Sequence, residues 1–192
     1  FNSLFTITSS NVNYFDKKIL VPFGEFIPFR NIFKFMDFIS GPNDYSKGKK
    51  LRLMTIGDNI NYLPVICYEI LFYWNLFNNE NINASLIVNI TNDIWFGKLS
   101  GPCQHFYHSK LRASEFNIPV IRVSNNGISA IIDKDGKILS SMNLNEYGSI
   151  KTDLSLNYNN NYYKFHNYLK IYFIIFYILI FLLNFKKINE QK

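Results

Sequence analysis

The sequence predicts an α/β fold in which a mixed sheet is covered by helices. Strand-like and helix-like segments alternate through the middle of the chain, and a run of short strands with a hairpin turn follows them. At 192 residues the chain is long enough for one domain with a substantial core. Hydrophobic residues make up 48% of the chain, with 19 phenylalanines and 13 tyrosines, which argues against disorder.

The predicted strands are short runs rich in β-branched and aromatic residues. They are Ser3–Ile7, Leu63–Ile66, Ser85–Ile90, Pro119–Val123, Ser129–Ile132, Lys137–Ser140 and Ser149–Leu154. Asp133–Gly136 has the composition of a hairpin turn. Two helices are predicted, Ile70–Asn78 and Pro102–Phe116, and the second opens on a proline, which the first helical position tolerates well. In Pro28–Pro42 the apolar residues fall near helical spacing, so we expect a short amphipathic helix that packs on the core.

The C-terminal segment has the longest apolar run of the chain. In Ile171–Phe185 all residues but Asn184 are apolar or aromatic. At about 1.5 Å per residue the run covers about 22 Å, and Tyr168 and Leu169 extend it towards the roughly 30 Å of a bilayer core. We therefore predict a globular domain over residues 1–161 and a transmembrane helix with a basic tail over residues 162–192. A buried core helix is the alternative.

Charge gives this predicted span a direction. From Tyr162 onward five lysines face one glutamate, so most of the net charge of +6 lies at this end of the chain. Lys186 and Lys187 follow the span and suit its cytoplasmic side, which places the globular domain outside the inner membrane. The Lys47–Lys50 cluster is short and lies in a loop, so we expect no nucleic-acid partner.

Cys67 is the first candidate for chemistry. The predicted strand Leu63–Ile66 ends at it, and a helix-like segment begins just after it. A thiol on such a turn has an exposed sulfur and backbone N–H groups beside it, which suits an attacking thiolate and an oxyanion pocket. Upstream, Lys17 and Glu25 bracket a Pro/Gly turn, and lysine and glutamate are the groups that a nucleophilic cysteine needs nearby. A buried, inert cysteine is the alternative.

Several motifs extend this pattern in a fixed order. They are Tyr14–Lys17, Leu20–Glu25, Cys67–Glu69, Asn92–Gly97, Gly101–Pro102, Gln104–His105, Arg112–Glu115, Pro119–Arg122 and Asn126–Ser129. Together they resemble the motifs of bacterial apolipoprotein N-acyltransferases, membrane enzymes that carry a nitrilase-like domain. The resemblance runs from about residue 1 to the C-terminus. It implies the four-layer αββα sandwich of the nitrilase, or carbon-nitrogen hydrolase, superfamily, here without its first strands and helix.

The resemblance assigns roles to the candidate residues. It implies that Cys67 is the nucleophile and that Lys17 stabilises the anionic tetrahedral intermediate. Lys17 is chosen over the adjacent Lys18 because it has the motif's eight-residue spacing to Glu25. Glu25 and Glu69 are then supporting carboxylates around the site.

The same resemblance implies the reaction and its setting. An acyl chain passes from a phospholipid to the nucleophile as a thioester, and then to the diacylglyceryl-cysteine at the N-terminus of an apolipoprotein. Tyr68 supplies a backbone N–H to the oxyanion, and Trp95 and Phe96 form a substrate loop. The resemblance implies no cofactor and no metal, and it puts the enzyme in the bacterial inner membrane with its globular domain on the periplasmic face. Because lipid substrates enter from the bilayer, a membrane-dipping arm is a second interpretation of Pro28–Pro42.

Other chemistries for the same residues stay open. Cys103, His105 and His108 lie close in sequence, yet three soft ligands on one helical turn cannot all point inward to a metal. His105 could instead act as a papain-like base for the nucleophile. Glu115, beside Arg112 on the predicted helix, is expected to be a buried structural partner.

One part of the family pattern is absent. The superfamily's triad includes a general-base glutamate from an upstream motif, and the sixteen residues before Lys17 contain none. We therefore expect this chain alone to be inactive, either as a fragment, as one part of a split protein whose separate N-terminal fragment is its partner, or as the product of a decayed gene. A nitrilase-superfamily amidohydrolase and an inactive membrane-anchored remnant are the alternative functions.

Overall fold

A computed structural model of the protein describes residues 1–9, 11–33, 41, 43–57, 59–77, 83–97, 99–156 and 171–183. The chain divides into two compact units, Phe1–Asn160 and Asn161–Lys192. The functional roles predicted for residues 1–161 and 162–192 stay predictions.

The larger unit begins with an antiparallel hairpin of β1 (Ser3–Ile7) and β2 (Val12–Asp16). The hairpin buries Leu4 and Phe15 in an apolar cluster with residues of the larger sheet described below. Lys17 follows directly on β2, and its backbone N–H donates to the carbonyl oxygen of Asn2 over 2.8 Å. The hairpin therefore fixes where Lys17 leaves the sheet.

A six-stranded mixed sheet forms the body of this unit. Its strands lie in the order β3 (Met54–Ile56), β4 (Ile60–Ile66), β5 (Leu86–Asn92), β6 (Val120–Asn125), β7 (Ser129–Ile132) and β8 (Ile138–Met142). The three strands β4, β5 and β6 are mutually parallel, and the outer pairs are antiparallel. The sequence prediction of a mixed sheet is thus confirmed.

The parallel strands form the centre of the core. Leu63, Val65, Ile87 and Val120 are completely buried, as the near-continuous apolar runs of parallel strands require. The helix α1 (Gly101–Phe116) connects β5 to β6 and has close to its predicted bounds. It buries Phe106, Ala113 and Phe116 and ends at Asn117, which adopts the left-handed conformation typical of a helix C-terminus.

The predicted helix Ile70–Asn78 is wrong over its described part. Two short 3₁₀ helices, Cys67–Leu71 and Tyr73–Asn75, stand there instead, separated by a non-helical Phe72. Ile70 and Leu76 are completely buried in this segment. The spacing of the apolar residues therefore indicated which residues are buried, but the backbone that buries them is not an α-helix.

The predicted strand Ser149–Leu154 is also wrong, since residues 149–154 have no regular structure. Leu154 and Leu156 pack against the apolar cluster that contains Leu4 and Phe15, which accounts for their apolar character without strand pairing. Conversely, β2 and β3 were not predicted from the sequence. Of the helix expected in Pro28–Pro42, residues 28–32 form turns and most of the rest lies outside the described residues.

In the smaller unit, residues 171–183 are helical. Within the described ranges no helix combines the length and the apolar character that crossing a membrane requires. The predicted span, from about residue 169 to residue 185, extends past the described helix on both sides.

Candidate active site

A cavity of about 600 Å³ lies where the carboxyl ends of β4 and β5 meet the loop that follows β2. The carboxyl edge of parallel strands is the usual position of a ligand site in such sheets. Residues from all three segments line the cavity, and they include Lys17, Glu25, Cys67, Tyr68, Trp95 and Phe96. The fold therefore brings together six of the seven site residues predicted from the sequence. The seventh, Glu69, lies behind the cavity wall.

Cys67 occupies a sharp turn at the end of β4. Its φ is +53°, in the left-handed region that non-glycine residues rarely adopt, and the 3₁₀ helix Cys67–Leu71 begins there. The turn reverses the chain within one residue and leaves the Cys67 side chain partly exposed in the cavity wall. Cys67 is a free thiol, as is the exposed Cys103.

Lys17 and Glu25 form a close ion pair in the same wall. Lys17 Nζ donates to Glu25 Oε2 over 2.7 Å, and only 1% of the lysine side chain is exposed. The same carboxylate accepts the backbone N–H of Val21 at Oε2 and the side-chain amide of Asn2 at Oε1. Glu25 thus holds the buried ammonium group at the cavity and is itself held by two further donors.

Glu69 is completely buried beside the nucleophile turn and pairs with Arg52. Arg52 Nη2 donates to Oε1 over 2.7 Å, and Nη1 donates to Oε2 over 3.0 Å. Oε1 also accepts the backbone N–H groups of Lys18 and Ile19, and Oε2 accepts that of Ile66. Burial opposes ionisation of Glu69, but the hydrogen bonds and charge of Arg52, helped by these N–H groups, hold its pKa below the ordinary value.

A third buried pair, Arg122 and Asp93, lies beneath the other wall of the cavity. Arg122 Nη2 donates to Asp93 Oδ2 over 2.7 Å, and Nη1 donates to Asn89 Oδ1 over 2.6 Å. The side-chain amide of Asn89 donates in turn to the carbonyl oxygen of Val65 on β4, two residues before Cys67. Arg122 on β6 is therefore connected to the strand that presents the thiol.

Asp93 receives several further contacts. Its Oδ1 lies 2.8 Å from His105 Nδ1, and its Oδ2 accepts the hydroxyl of Ser124 over 2.9 Å. Burial alone would raise the pKa of Asp93, but His105, Arg122 and Ser124 lower it to about 2. Gly127 approaches so closely that a Cβ there would lie 2.0 Å from Asp93 Oδ2, which explains a glycine at this turn.

Trp95 and Phe96, which form the aromatic wall of the cavity, come just after the buried Asp93 in the chain. Asp93 begins the 3₁₀ helix Asp93–Phe96 at the end of β5, and the helix carries both aromatic residues to the cavity. The Phe96 ring stacks on His105 with centroids 4.6 Å apart. Trp95 remains 78% exposed at the rim. Phe96 is therefore an anchored wall residue, and Trp95 is a solvent-facing one.

The chain matches one protein-family model over more than half of its length. The model of the carbon-nitrogen hydrolase family matches residues 44–164, which include the nucleophile turn, the aromatic wall and the buried Arg122 pair. The chain belongs to the carbon-nitrogen hydrolase family.

Its curated relatives are apolipoprotein N-acyltransferases. The protein of Rhizobium rhizogenes is 39% identical over 160 residues, which cover 81% of this chain and 30% of the relative. That of Rickettsia prowazekii is 39% identical over 184 residues, covering 94% of this chain and 37% of the relative. That of Rickettsia typhi is 41% identical over 153 residues. The resemblance to this group is confirmed, and the chain spans about a third of the length of these relatives.

A solved structure supports the fold. A carbon-nitrogen hydrolase superfamily protein from Xanthomonas campestris matches with a TM-score of 0.54 and 19% sequence identity, covering 77% of this chain and 54% of that one. The match shows that this chain has at least part of the nitrilase-like α/β architecture.

The structure does not favour the alternative roles of the α1 residues, a papain-like base at His105 and a metal site. His105 is buried against Asp93 and Phe96 and does not line the cavity, so it is not placed to accept the proton of Cys67. Cys103 is exposed. Among the described residues no group of cysteine, histidine and carboxylate side chains could hold a metal ion.

Arg112 and Glu115 form the expected structural pair, with 2.7 Å between Arg112 Nη1 and Glu115 Oε2. Arg112 is 4% exposed, and its guanidinium group lies over the Tyr73 ring, 5.4 Å from the centroid. Neither residue of the pair lines the cavity.

Sequence reasoning missed Arg52 altogether and gave no role to Arg122 or Asp93, although both stand in the motifs that carry the resemblance. Arg52 pairs with a carboxylate 17 residues away, and Arg122 pairs with one 29 residues away. No local signal marked Arg52, because arginine is mostly an exposed residue and the neighbouring Leu51 is itself exposed.

Proposed function

We propose that this chain carries the acyl-transfer site of an apolipoprotein N-acyltransferase. The observation that carries the proposal is that Cys67, the Lys17–Glu25 pair and the Trp95–Phe96 wall all line the same cavity. A thiol, an ammonium group and an aromatic wall are the groups that thioester chemistry on a lipid requires.

In the first half-reaction the Cys67 thiol loses its proton to a base, and the sulfur attacks the ester carbonyl of a phospholipid. The carbonyl oxygen becomes an oxyanion, which Lys17 Nζ and the backbone N–H of Tyr68 stabilise. The intermediate then collapses, the glycerol oxygen leaves and takes up a proton, and a Cys67 thioester and a lysophospholipid result.

In the second half-reaction the α-amine of a diacylglyceryl-cysteine attacks the thioester carbonyl. The amine loses a proton, the sulfur leaves, and an amide and the free Cys67 thiol result. The two substrates use the same oxyanion groups in turn, which predicts ping-pong kinetics. Glu25 and Glu69 support the site without touching the reacting atoms, the first through Lys17 and the second through the turn at Cys67.

The rim of the cavity favours a lipid over a small polar amide. Trp95 lines the cavity and is 78% exposed, and the large apolar side chains of Ile94 and Leu99, close to it in sequence, are 54% and 87% exposed. Clustered exposed apolar residues mark surfaces that meet a lipid or another apolar partner. The acyl donor is therefore proposed to be a phospholipid and the acceptor a diacylglyceryl-apolipoprotein.

We further propose the finer fold and location that the relatives suggest. The described sheet would be part of a four-layer αββα sandwich on the periplasmic face of the inner membrane. The apolar run Ile171–Phe185 with Lys186 and Lys187 after it would be the membrane anchor. Carbonate extraction of membranes tests the anchor, and a full-length chain released to the supernatant would contradict it.

Neither carboxylate at the site is free to take the thiol proton. Glu25 already accepts from Lys17, Val21 and Asn2, and the oxygens of Glu69 accept from one arginine and three backbone N–H groups. Residues 1–16 contain no glutamate, so we infer that the base is a glutamate supplied by a further segment or by a separate N-terminal fragment. Without it, transfer by this chain should be slower by a factor of about 10² to 10⁴.

Complementation of a strain depleted of apolipoprotein N-acyltransferase tests the proposal. We would express the chain alone, the chain joined to the N-terminal part of the Rickettsia prowazekii relative, and the same chimera with Cys67→Ala. We expect rescue only by the intact chimera, with an N-acylated lipopeptide and a lysophospholipid as products.

Other outcomes contradict specific parts of the proposal. Rescue by the Cys67→Ala chimera would refute the nucleophile, and rescue by the chain alone would refute the external base. An expressed chimera that does not rescue would favour an inactive remnant. Release of ammonia from small amides without lipid transfer would favour an amidohydrolase, the other activity that membership of the family suggests.

A further inference from the structure

Arg52 is a buried arginine outside the cavity wall, and its contacts reach both sides of the site. We propose that Arg52 is a positioning residue, which neutralises Glu69 beside Cys67 and joins the Lys17 loop to the nucleophile turn. The inference deepens the function proposed above, since it rests on Cys67 as the reacting thiol.

Arg52 and Glu69 form a bidentate ion pair, which we call the Arg52–Glu69 clamp. Its guanidinium group donates to both carboxylate oxygens of Glu69, and Nη1 also donates to the carbonyl oxygen of Pro64 over 2.7 Å. Arg52 is 2% exposed, and Glu69 is completely buried. A buried ion pair with this bidentate geometry is strongly directional, so it fixes the two groups relative to each other.

Through Glu69 the clamp reaches the lysine loop. The carboxylate accepts the N–H groups of Lys18 and Ile19, immediately after Lys17, and that of Ile66, immediately before Cys67. One carboxylate therefore connects the two chain segments that carry the reacting groups. Because these segments are 50 residues apart in sequence, a local turn cannot set their separation.

Arg52 also contacts the hairpin that precedes Lys17. Its guanidinium carbon lies 4.9 Å from the centroid of the Phe15 ring, and Phe15 is 1% exposed in β2. A guanidinium group over an aromatic face is attracted by the ring electrons. Arg52 thus contacts Phe15 before Lys17 and Pro64 before Cys67 directly. It reaches the residues after Lys17 through Glu69.

The charge of Arg52 matters as much as its position. Among the described residues around Cys67, three buried cations each pair with a carboxylate: Lys17 with Glu25, Arg122 with Asp93, which His105 also contacts, and Arg52 with Glu69. Loss of the Arg52 charge alone would leave Glu69 as an unopposed carboxylate two residues from the thiol. A nearby negative charge disfavours formation of the thiolate.

The test measures how fast the intact chain is alkylated by iodoacetamide as a function of pH. All variants carry Cys103→Ser, so that the label reports Cys67 alone. The variants are Arg52→Gln, Arg52→Lys, and Arg52→Gln combined with Glu69→Gln. The matched control is Arg112→Gln, which removes a similarly buried arginine from its pair with Glu115, where neither residue lines the cavity.

We expect Arg52→Gln to move the midpoint of the alkylation profile by about one pH unit to higher pH, and so to slow labelling below the midpoint about tenfold. Arg52→Lys keeps the charge, and the double variant removes both charges, so both should stay within about twofold of the parent. The Arg112→Gln control should lower the melting temperature without moving the profile.

A parent-like profile for Arg52→Gln would overturn the proposal, as would a double variant that is shifted as far as Arg52→Gln. If Arg52→Gln does not fold, Glu69→Gln decides instead, because it leaves the Arg52 charge unopposed and should move the midpoint to lower pH. An unmoved midpoint in Glu69→Gln would then overturn the proposal. The assay needs only the thiol and no turnover. A failure of the proposed function would therefore leave these profiles intact. It would appear instead in the complementation experiment, as rescue by the Cys67→Ala chimera or as no rescue by the expressed intact chimera.

Discussion

At the scale of single residues, the site depends on Cys67 having a left-handed backbone conformation, which residues with a side chain disfavour. A left-handed φ costs a residue such as Cys67 roughly 1–2 kcal/mol, and the hydrogen bond from the Ile66 N–H to Glu69 helps to hold the turn. The sequence located this residue because a short apolar strand ends at it. It could not reveal the role of Arg52, whose partners are brought near only by the folded sheet.

Lys17 and Lys18 provide a paired test at this scale. Lys17→Met removes the buried ammonium group from the cavity wall, and acyl transfer by the intact chimera should fall by about 10² to 10³, the usual loss for one oxyanion-stabilising group. Lys18→Met is the control, because Lys18 contributes a backbone N–H to Glu69 that the substitution keeps. Transfer rates of the two variants decide the matter, and equal losses would show that Lys17 has no special role.

At the scale of elements, prediction worked where burial alone decides the structure. The apolar runs of β4, β5 and β6 are buried strands, and their patterns were sufficient to place them. The short β3 and the exposed β2 depend on pairing with distant strands, which a local pattern does not contain. The segment after Cys67 was wrongly assigned to an α-helix because 3₁₀ turns bury Ile70 as completely as an α-helix would.

The buried Asp93 pair makes an element-scale prediction about acid stability. The pKa of Asp93 falls from the ordinary 3.8 to about 2 in the folded protein, so its contribution to stability is complete above about pH 4 and is lost as pH falls towards 2. A shift of this size corresponds to about 2–3 kcal/mol. The pKa of Glu69 is also lowered, so Glu69 likewise contributes stability that is lost as the pH falls into the acid range.

Asp93→Asn should therefore flatten the fall of the unfolding free energy between about pH 4 and pH 2. It should also cost about 3–5 kcal/mol at neutral pH, because Arg122 keeps a buried charge without its carboxylate. Urea unfolding across this pH range measures both effects. An unchanged acid slope in Asp93→Asn would mean that Asp93 does not carry this linkage.

At the scale of the whole molecule, the described sheet, the cavity and the family match support the acyl-transfer site proposed above. The chain spans about a third of its curated relatives, and both carboxylates at the site are occupied by other donors. Ordered motifs were sufficient to predict the family and the cavity residues. The membrane span and the four-layer sandwich stay proposals, since they concern parts of the chain and of its relatives beyond the described residues.

The most direct measurement is the mass of the acylated protein. The chimera is incubated with phospholipid vesicles that carry an isotopically labelled acyl chain, quenched in acid and digested. The account predicts one labelled acyl group on the Cys67 peptide, released by neutral hydroxylamine, absent from Cys67→Ala and retained in Cys103→Ser. Label that persists in Cys67→Ala, that lies on Cys103, or that never forms on the folded chimera would contradict it.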